Sequence, residues 1–230
     1  MIQSRLPSTG ELHPKEVLEE LPVFPLPNAV FFPGTLLPLH VFEPRYRAMI
    51  AHAMETEQRI GIALLKPGYE ADYHGEPPFH DVIAVGEVVM LRMLPDGRSN
   101  LVLKGLGRAR VIEELETPHD FRVVRVQVQG AELGGQQGGE LDRELATVRQ
   151  LFGTVVARVP QLNVQGADAL FAPNADPNHV LDAIASAVPA DPARKQEMLE
   201  ELNLVRRAEL LASALAEAVA DTMSEPRGES

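Results

Sequence analysis

Cysteine is absent from this 230-residue chain, which excludes a disulfide framework, thiol catalysis and cysteine-ligated zinc or iron–sulfur centres. Long apolar runs are absent too. Pro, Gly or a charge interrupts them every few residues, well short of the ~20 that cross a bilayer. The opening stretch, MIQSRLPSTGELHPKEVLEE, has no apolar core of the kind a secretory leader carries and turns acidic instead. These absences point to the cytoplasm. Positive charge is scarce: 21 Lys+Arg face 33 Asp+Glu, for a formal net charge of −12 and a pI near 5.0. Nucleic acid is bound largely by Lys and Arg displacing condensed counterions, so neither a phosphate backbone nor an anionic membrane is an expected partner. The deficit is uneven. Residues 1–129 hold 13 basic against 17 acidic side chains, and residues 130–230 hold 8 against 16.

What is present is enough chain for one sizeable core, or for one core and a smaller helical partner. Residues 21–129 alternate apolar and polar positions at strand period, punctuated by Pro and Gly. In FRVVRVQVQ, Val124, Val126 and Val128 alternate with Arg125, Gln127 and Gln129, as on a strand with one buried and one wet face. The run DVIAVGEVVMLRML ends at Pro95-Asp96-Gly97 before SNLVLKG, which reads as a β-hairpin. Gly86 marks a bulge within its first arm. One helix interrupts the strands: Pro44 suits a first helical turn, and Tyr46, Met49, Ile50 and Ala53 share one face. Prolines 22, 25, 27, 33 and 38 remove backbone donors, which assigns their strands to edges or bulges of a partly open barrel.

Residues 130–140, GAELGGQQGGE, form a glycine-rich linker, and beyond it the period changes to 3.6. Leu141, Leu145, Val148, Phe152, Val155 and Val159 make the stripe of a helix that stops before Pro160. Asp176 caps a second helix carrying Val180, Leu181, Ile184 and Val188. Asp191-Pro192 opens a third, in which Leu199, Leu202, Leu211, Leu215 and Val219 point inward along one long helix or two joined near Asn203. The expected organisation is an N-terminal extension over 1–20, a barrel over 21–129, the linker, a helical subdomain over 141–224 and a tail over 225–230.

Three blocks carry a resemblance. LPVFPLPNAVFFPGTLLPLHVFEPRYRAMI (21–50) contains Phe-Pro-Leu, Phe-Pro-Gly, Pro-Leu-His and Phe-Glu-Pro-Arg-Tyr in order. VGEVVMLRMLPDGRSNLVLKGLGRARVIEE (85–114) contains an Asp-Gly hairpin followed by a Gly-x-x-Arg-x-x-Ile-like strand. ARKQEMLEELNLVRRAELL supplies a Lys-Gln-x-x-Leu-Glu helix. Together they resemble the amino-terminal substrate-recognition domain of Lon proteases over roughly residues 20–220, particularly the short bacterial members that lack the rest of the protease. The resemblance implies an α+β fold, a PUA-like, partly open β-barrel followed by a helical subdomain, and a non-catalytic module that binds other proteins or unfolded polypeptide segments. PUA-like barrels also serve RNA-modifying enzymes, so a nucleic-acid-binding module is the alternative, disfavoured by the acidic balance.

A complete Lon protease needs a Gly-x-x-x-x-Gly-Lys-Ser/Thr loop for ATP and a Ser–Lys pair for peptide cleavage. This sequence contains no such loop, and of its four lysines only Lys104 adjoins glycine, followed by Gly105 rather than Ser or Thr. No serine sits in a hydrolase elbow, which leaves an unrecognised hydrolase as the third reading. Gly105-Leu106-Gly107 reads as a tight turn, because Arg110 stands where a dinucleotide fingerprint needs its third glycine. In DYHGEPPFHD, Asp72, His74, Glu76, His80 and Asp81 are of ligand type, yet two prolines and no second ligand pair favour a solvated loop over a metal site. No cofactor is implied. The candidate protein-binding residues are Phe31, Phe32, His40, Phe42, Glu43, Arg45 and Tyr46. Glu43 paired with an arginine would anchor the helix start, and adjacent Phe31 and Phe32 on a strand would put at least one ring outside the core.

Overall fold

The computed structural model describes residues 11–72, 75–132, 138–159, 170, 172 and 174–224. They divide into two compact units, residues 1–130 and 131–230. In the first, six strands form one mixed sheet: β1 (Val17–Leu26), β2 (Leu36–Val41), β3 (Arg59–Leu64), β4 (Val82–Met93), β5 (Ser99–Leu115) and β6 (Val123–Gln129), with helix α1 (Pro44–Glu55) between β2 and β3. The order is β2-β5-β4-β3-β1-β6, and the far half of β5 also pairs with β6. That second pairing brings the two sides of the sheet together, while β2 remains an added strand on the near half of β5, from Ser99 to Lys104. The barrel is therefore partly open.

The hairpin forms because Pro95-Asp96-Gly97 turns tightly. Gly97 takes a φ of 82°, and the Leu94 N–H donates to the Arg98 carbonyl at 2.8 Å. The Arg98 guanidinium and, to a lesser degree, its backbone N–H donate to Asp96, and these bonds hold its carboxyl below the ordinary value of 3.8. The register between β4 and β5 slips at Val85/Gly86, the bulge that Gly86 marks.

Prolines behave differently in two strands. Pro38 lies on β2, an edge strand, as expected. Pro22 and Pro25 lie on β1, which is interior in the strand order. The edge rule is satisfied locally, since residues 17–22 of β1 pair only with β6 and residues 23–26 pair with β3. Alternation then divides the core between two faces. Phe24, Ile62 and Ala84 join the cluster that receives Met49, Ile50 and Ala53 of α1, while Val23, Ala63 and Ile83 join Val124, Val126 and Val128 in the other. β3 and much of β4 are consequently buried on both faces and read as continuous apolar runs.

The second unit is helical among its described residues: α2 (Gly138–Arg158), α3 (Pro177–Ala187), α4 (Pro192–Glu200) and α5 (Leu204–Ser224). The glycine-rich tract thus already contributes Gly138 and Gly139 to α2. The stripe of Leu141, Leu145, Val148, Phe152 and Val155 is buried, and α2 packs along α5. Asp176 accepts the Asn178 N–H at 3.2 Å and Asp191 accepts the Ala193 N–H at 2.8 Å, each followed by proline in the first turn. The long segment is two helices. The first ends at Glu200, and Asn203 caps the next, its Oδ1 accepting the Val205 and Arg206 N–H groups at 3.0 and 3.2 Å.

One feature of this unit is not apolar. Arg207 and Asp182 are 0% exposed and 3.1 Å apart. Arg207 also donates to the Glu201 carbonyl at 2.8 Å and to Asn178 Oδ1 at 2.7 Å, so one guanidinium ties α5 to α3 and to the α4–α5 junction.

Candidate functional site

Pro44 starts α1 just after β2, and this places Glu43, Arg45 and Tyr46 together in the lining of a cleft of about 630 Å³. The opposite wall is the β5–β6 connection, His119 to Arg122, and a third side is the segment Gly75 to Pro77. The volume is that of a ligand-sized pocket. Its floor is apolar, formed by the buried Tyr46, Leu65 and Phe121, and Pro25 joins them in the lining.

Two arginines fix the walls. Arg45 Nε donates to Glu43 at 3.1 Å, and its Nη1 reaches the Gly75 carbonyl at 3.4 Å. The same guanidinium lies 4.7 Å from the Tyr46 ring centre. Arg122 grips Glu114 with Nε and Nη2 at 2.5 and 2.6 Å, donates Nη1 to the Pro77 carbonyl at 2.6 Å, and covers the Phe79 ring at 4.1 Å. Each arginine therefore faces a carboxylate with one part of its guanidinium and the 75–77 backbone with another. At the rim, His119 stacks on Phe121 with ring centres 4.6 Å apart and planes 10° apart, and His52 of α1 leans on His119 at 4.8 Å.

The seven residues expected from sequence separate into three groups. Glu43, Arg45 and Tyr46 meet at the cleft, and the anticipated Glu43–arginine pair is present. His40 and Phe42 follow one another along β2 and its end. The His40 ring bonds Asn100 across the strands at 2.6 Å, and Phe42 is 60% exposed with its ring 6.3 Å from that of His40. Phe31 and Phe32 are both buried, contrary to the expectation that one would face outward. They precede a turn at Pro33-Gly34 rather than lying on a strand, so the alternation of faces does not apply. Phe31 abuts Gly86, and the Phe32 carbonyl and Pro33 lie so close to Gly105 that a Cβ there would collide with backbone. This contact also corrects the reading of Gly105-Leu106-Gly107 as a turn: the three continue β5, and Gly105 is needed for a close approach.

Of the ligand-type residues in the 72–81 loop, His74 and the Asp72 side chain lie outside the described residues. Asp81 pairs with Lys66 at 3.1 Å and Glu76 lines the cleft. The described residues contain no group of three metal-ligating side chains, and none of their helices is long and apolar enough to cross a membrane. Sequence reasoning missed His119, Asp120, Phe121 and Arg122. Their signal was a short polar turn with one aromatic between two strands, which acquires meaning only when topology carries it to α1.

The family model for the ATP-dependent protease La (LON) substrate-binding domain matches residues 20–217. Lon protease 2 of Myxococcus xanthus is 29% identical over 208 residues, covering 90% of this chain and 24% of that protein. Lon protease of Anaeromyxobacter dehalogenans is 29% identical over 206 residues, with 89% and 24% covered. The chain thus spans about a quarter of the length of these curated relatives. Among solved structures, the N-terminal domain of a Mycobacterium avium complex Lon protease superposes with a TM-score of 0.67 at 18% identity, covering 86% of this chain and 99% of that one. A Lon N-terminal domain protein from Xanthomonas campestris gives 0.60 at 22% identity, with 85% and 98% covered. At those identities the structures speak for the fold alone.

Proposed function

The chain belongs to the LON substrate-binding domain family, and from that premise we propose that it is a protein-recognition module whose barrel unit captures exposed segments of other polypeptides in the cleft beside α1. The observation that carries the reading is the family match over residues 20–217 together with an apolar-floored cleft inside the matched region. Tyr46, Phe121 and Pro25 would receive apolar side chains, and the clamped 75–77 segment would keep the opening preformed, lowering the ordering cost of binding. Binding is the whole of the proposed activity for these residues. Their sequence contains neither a nucleotide-cradling glycine loop with its lysine nor a serine elbow. A polypeptide held there would be presented to proteolysis. Glu43, Arg45 and Tyr46 are the predicted residues we retain for this site.

Titration of the full chain with a permanently unfolded, carboxymethylated model protein tests the proposal, read by amide chemical shifts. Saturable perturbation at Arg45, Gly75 and Arg122, with none from the folded form of the same model protein, is the expected result. Absence of saturable binding, or perturbation of the barrel unit only at sites remote from these three, would overturn it.

A further inference from the structure

The charges around the cleft are unequally committed. Arg45 is bound to Glu43 and Arg122 to Glu114, and both also donate to carbonyls of the 75–77 segment. Each cation already faces a carboxylate. Glu76 and Asp120 line the same cleft, are exposed, and make no hydrogen bond or ion pair with any described residue. In the same lining the His119 ring lies flat on Phe121, a planar aromatic step. The opening therefore combines two uncommitted carboxylates, a stacking surface and an apolar floor.

A planar cation satisfies all three. A guanidinium stacks on an aromatic face, accepts a carboxylate partner through its forked donors and carries an apolar stem into the cleft. A carboxylate in the same place would meet two like charges, while the nearby arginines already face carboxylates of their own. The formal net charge of −12 acts in the same direction at longer range, drawing basic segments toward the surface. We infer that the cleft selects polypeptide segments in which an arginine is flanked by apolar residues, with Glu76 and Asp120 as the specificity-determining groups. This inference rests on the proposed function and narrows its substrate class.

The test uses three dye-labelled peptides identical in their apolar residues and carrying arginine, its neutral isostere citrulline, or glutamate at the centre. Each is titrated by fluorescence anisotropy into the full chain and into the Glu76→Gln, Asp120→Asn double variant. Because both carboxylates are exposed, the arginine peptide should bind about fivefold more tightly than the citrulline peptide, the scale of partly screened ion pairs. The glutamate peptide should bind most weakly, and added salt should compress the series. In the double variant the arginine preference should vanish while the citrulline peptide binds as before. Equal affinity for arginine and citrulline, or a preference that survives in the double variant, would overturn the inference and leave the broader reading intact. Failure of all three peptides to bind would sink both.

Discussion

The two units treat polarity in opposite ways. Every large apolar side chain exposed among the described residues, Val17, Leu36, Phe42, Met90, Met93 and Ile112, belongs to the barrel unit. The helical unit shows none of these and instead places an arginine and an aspartate at 0% exposure. Arginine does related work in both. Arg45 and Arg122 are partly exposed and clamp a loop at the rim of a cleft, whereas Arg207 is sealed inside and clamps three helical segments. A barrel surface that leaves such apolar side chains exposed suits the proposed role of meeting other chains. A helical unit that hides charge gains little net stability from it and a great deal of dependence on keeping the pair whole.

That contrast predicts its own largest effect. Asp182→Ala leaves the Arg207 charge buried without its carboxylate and should cost about 3 kcal/mol or more. The pair of substitutions Asp182→Leu and Arg207→Met should recover most of the loss, since apolar replacement of a buried pair is often neutral. The units can be followed separately. Tryptophan is absent and the tyrosines are Tyr46, Tyr69 and Tyr73, so tyrosine fluorescence reports the barrel unit, while far-UV circular dichroism is dominated by the helices. In urea, Asp182→Ala should lower the dichroism midpoint and leave the fluorescence midpoint in place. Equal shifts of both would show that the ion pair supports the whole chain and would break the contrast.

The second effect belongs to the barrel. Gly105→Ala drives a Cβ into the Phe32 carbonyl and Pro33, and relieving that collision must displace backbone rather than a side-chain tip. A loss of about 1–3 kcal/mol is expected, the range for overpacking, with the tyrosine fluorescence midpoint moving first. An unchanged midpoint would mean that the Phe32–Pro33 turn yields freely, and that the two buried phenylalanines do not anchor it.

These two sites also mark where the sequence was legible. Local rules sufficed for the β6 alternation, the Asp96-Gly97 hairpin, the Gly86 bulge and the capping aspartates, because each depends on neighbours within a few residues. The buried Phe31-Phe32 pair was misjudged for want of one fact, that the chain turns there instead of running as a strand. The prolines of β1 imply an edge or a bulge, and the strand meets that demand locally while lying inside the sheet order: its register shifts between Leu18 and Leu21, and each half pairs on one side. Half of the cleft was readable at Glu43-Pro44-Arg45-Tyr46. The other half comes from residues 75–77 and 119–122, brought there by sheet register that no local pattern encodes. Arg207 did leave a trace: it stands four residues before Leu211 and eight before Leu215 on the inward stripe of α5, where a charge demands a buried partner.

The smallest expected effect sharpens the contrast within the helical unit itself, between a charge that burial keeps and one that burial weakens. Lys195 at the start of α4 is half-buried and donates to the Ser186 carbonyl at 2.8 Å, with no carboxylate hydrogen-bonded to it among the described residues. Burial lowers its pKa from the ordinary 10.5, because removing water penalises the ammonium. Between that depressed value and 10.5 the unfolded chain binds more protons than the folded one, so stability should rise with pH across this alkaline window. Below the window both states are protonated and the folded state carries the full cost. Lys195→Met should flatten the rise in the far-UV dichroism midpoint through this range and leave the tyrosine-reported barrel transition unaltered. A slope that persists in the variant would assign the alkaline dependence to another group. A falling slope in the parent chain would mean that the Ser186 carbonyl stabilises the ammonium by more than burial costs it.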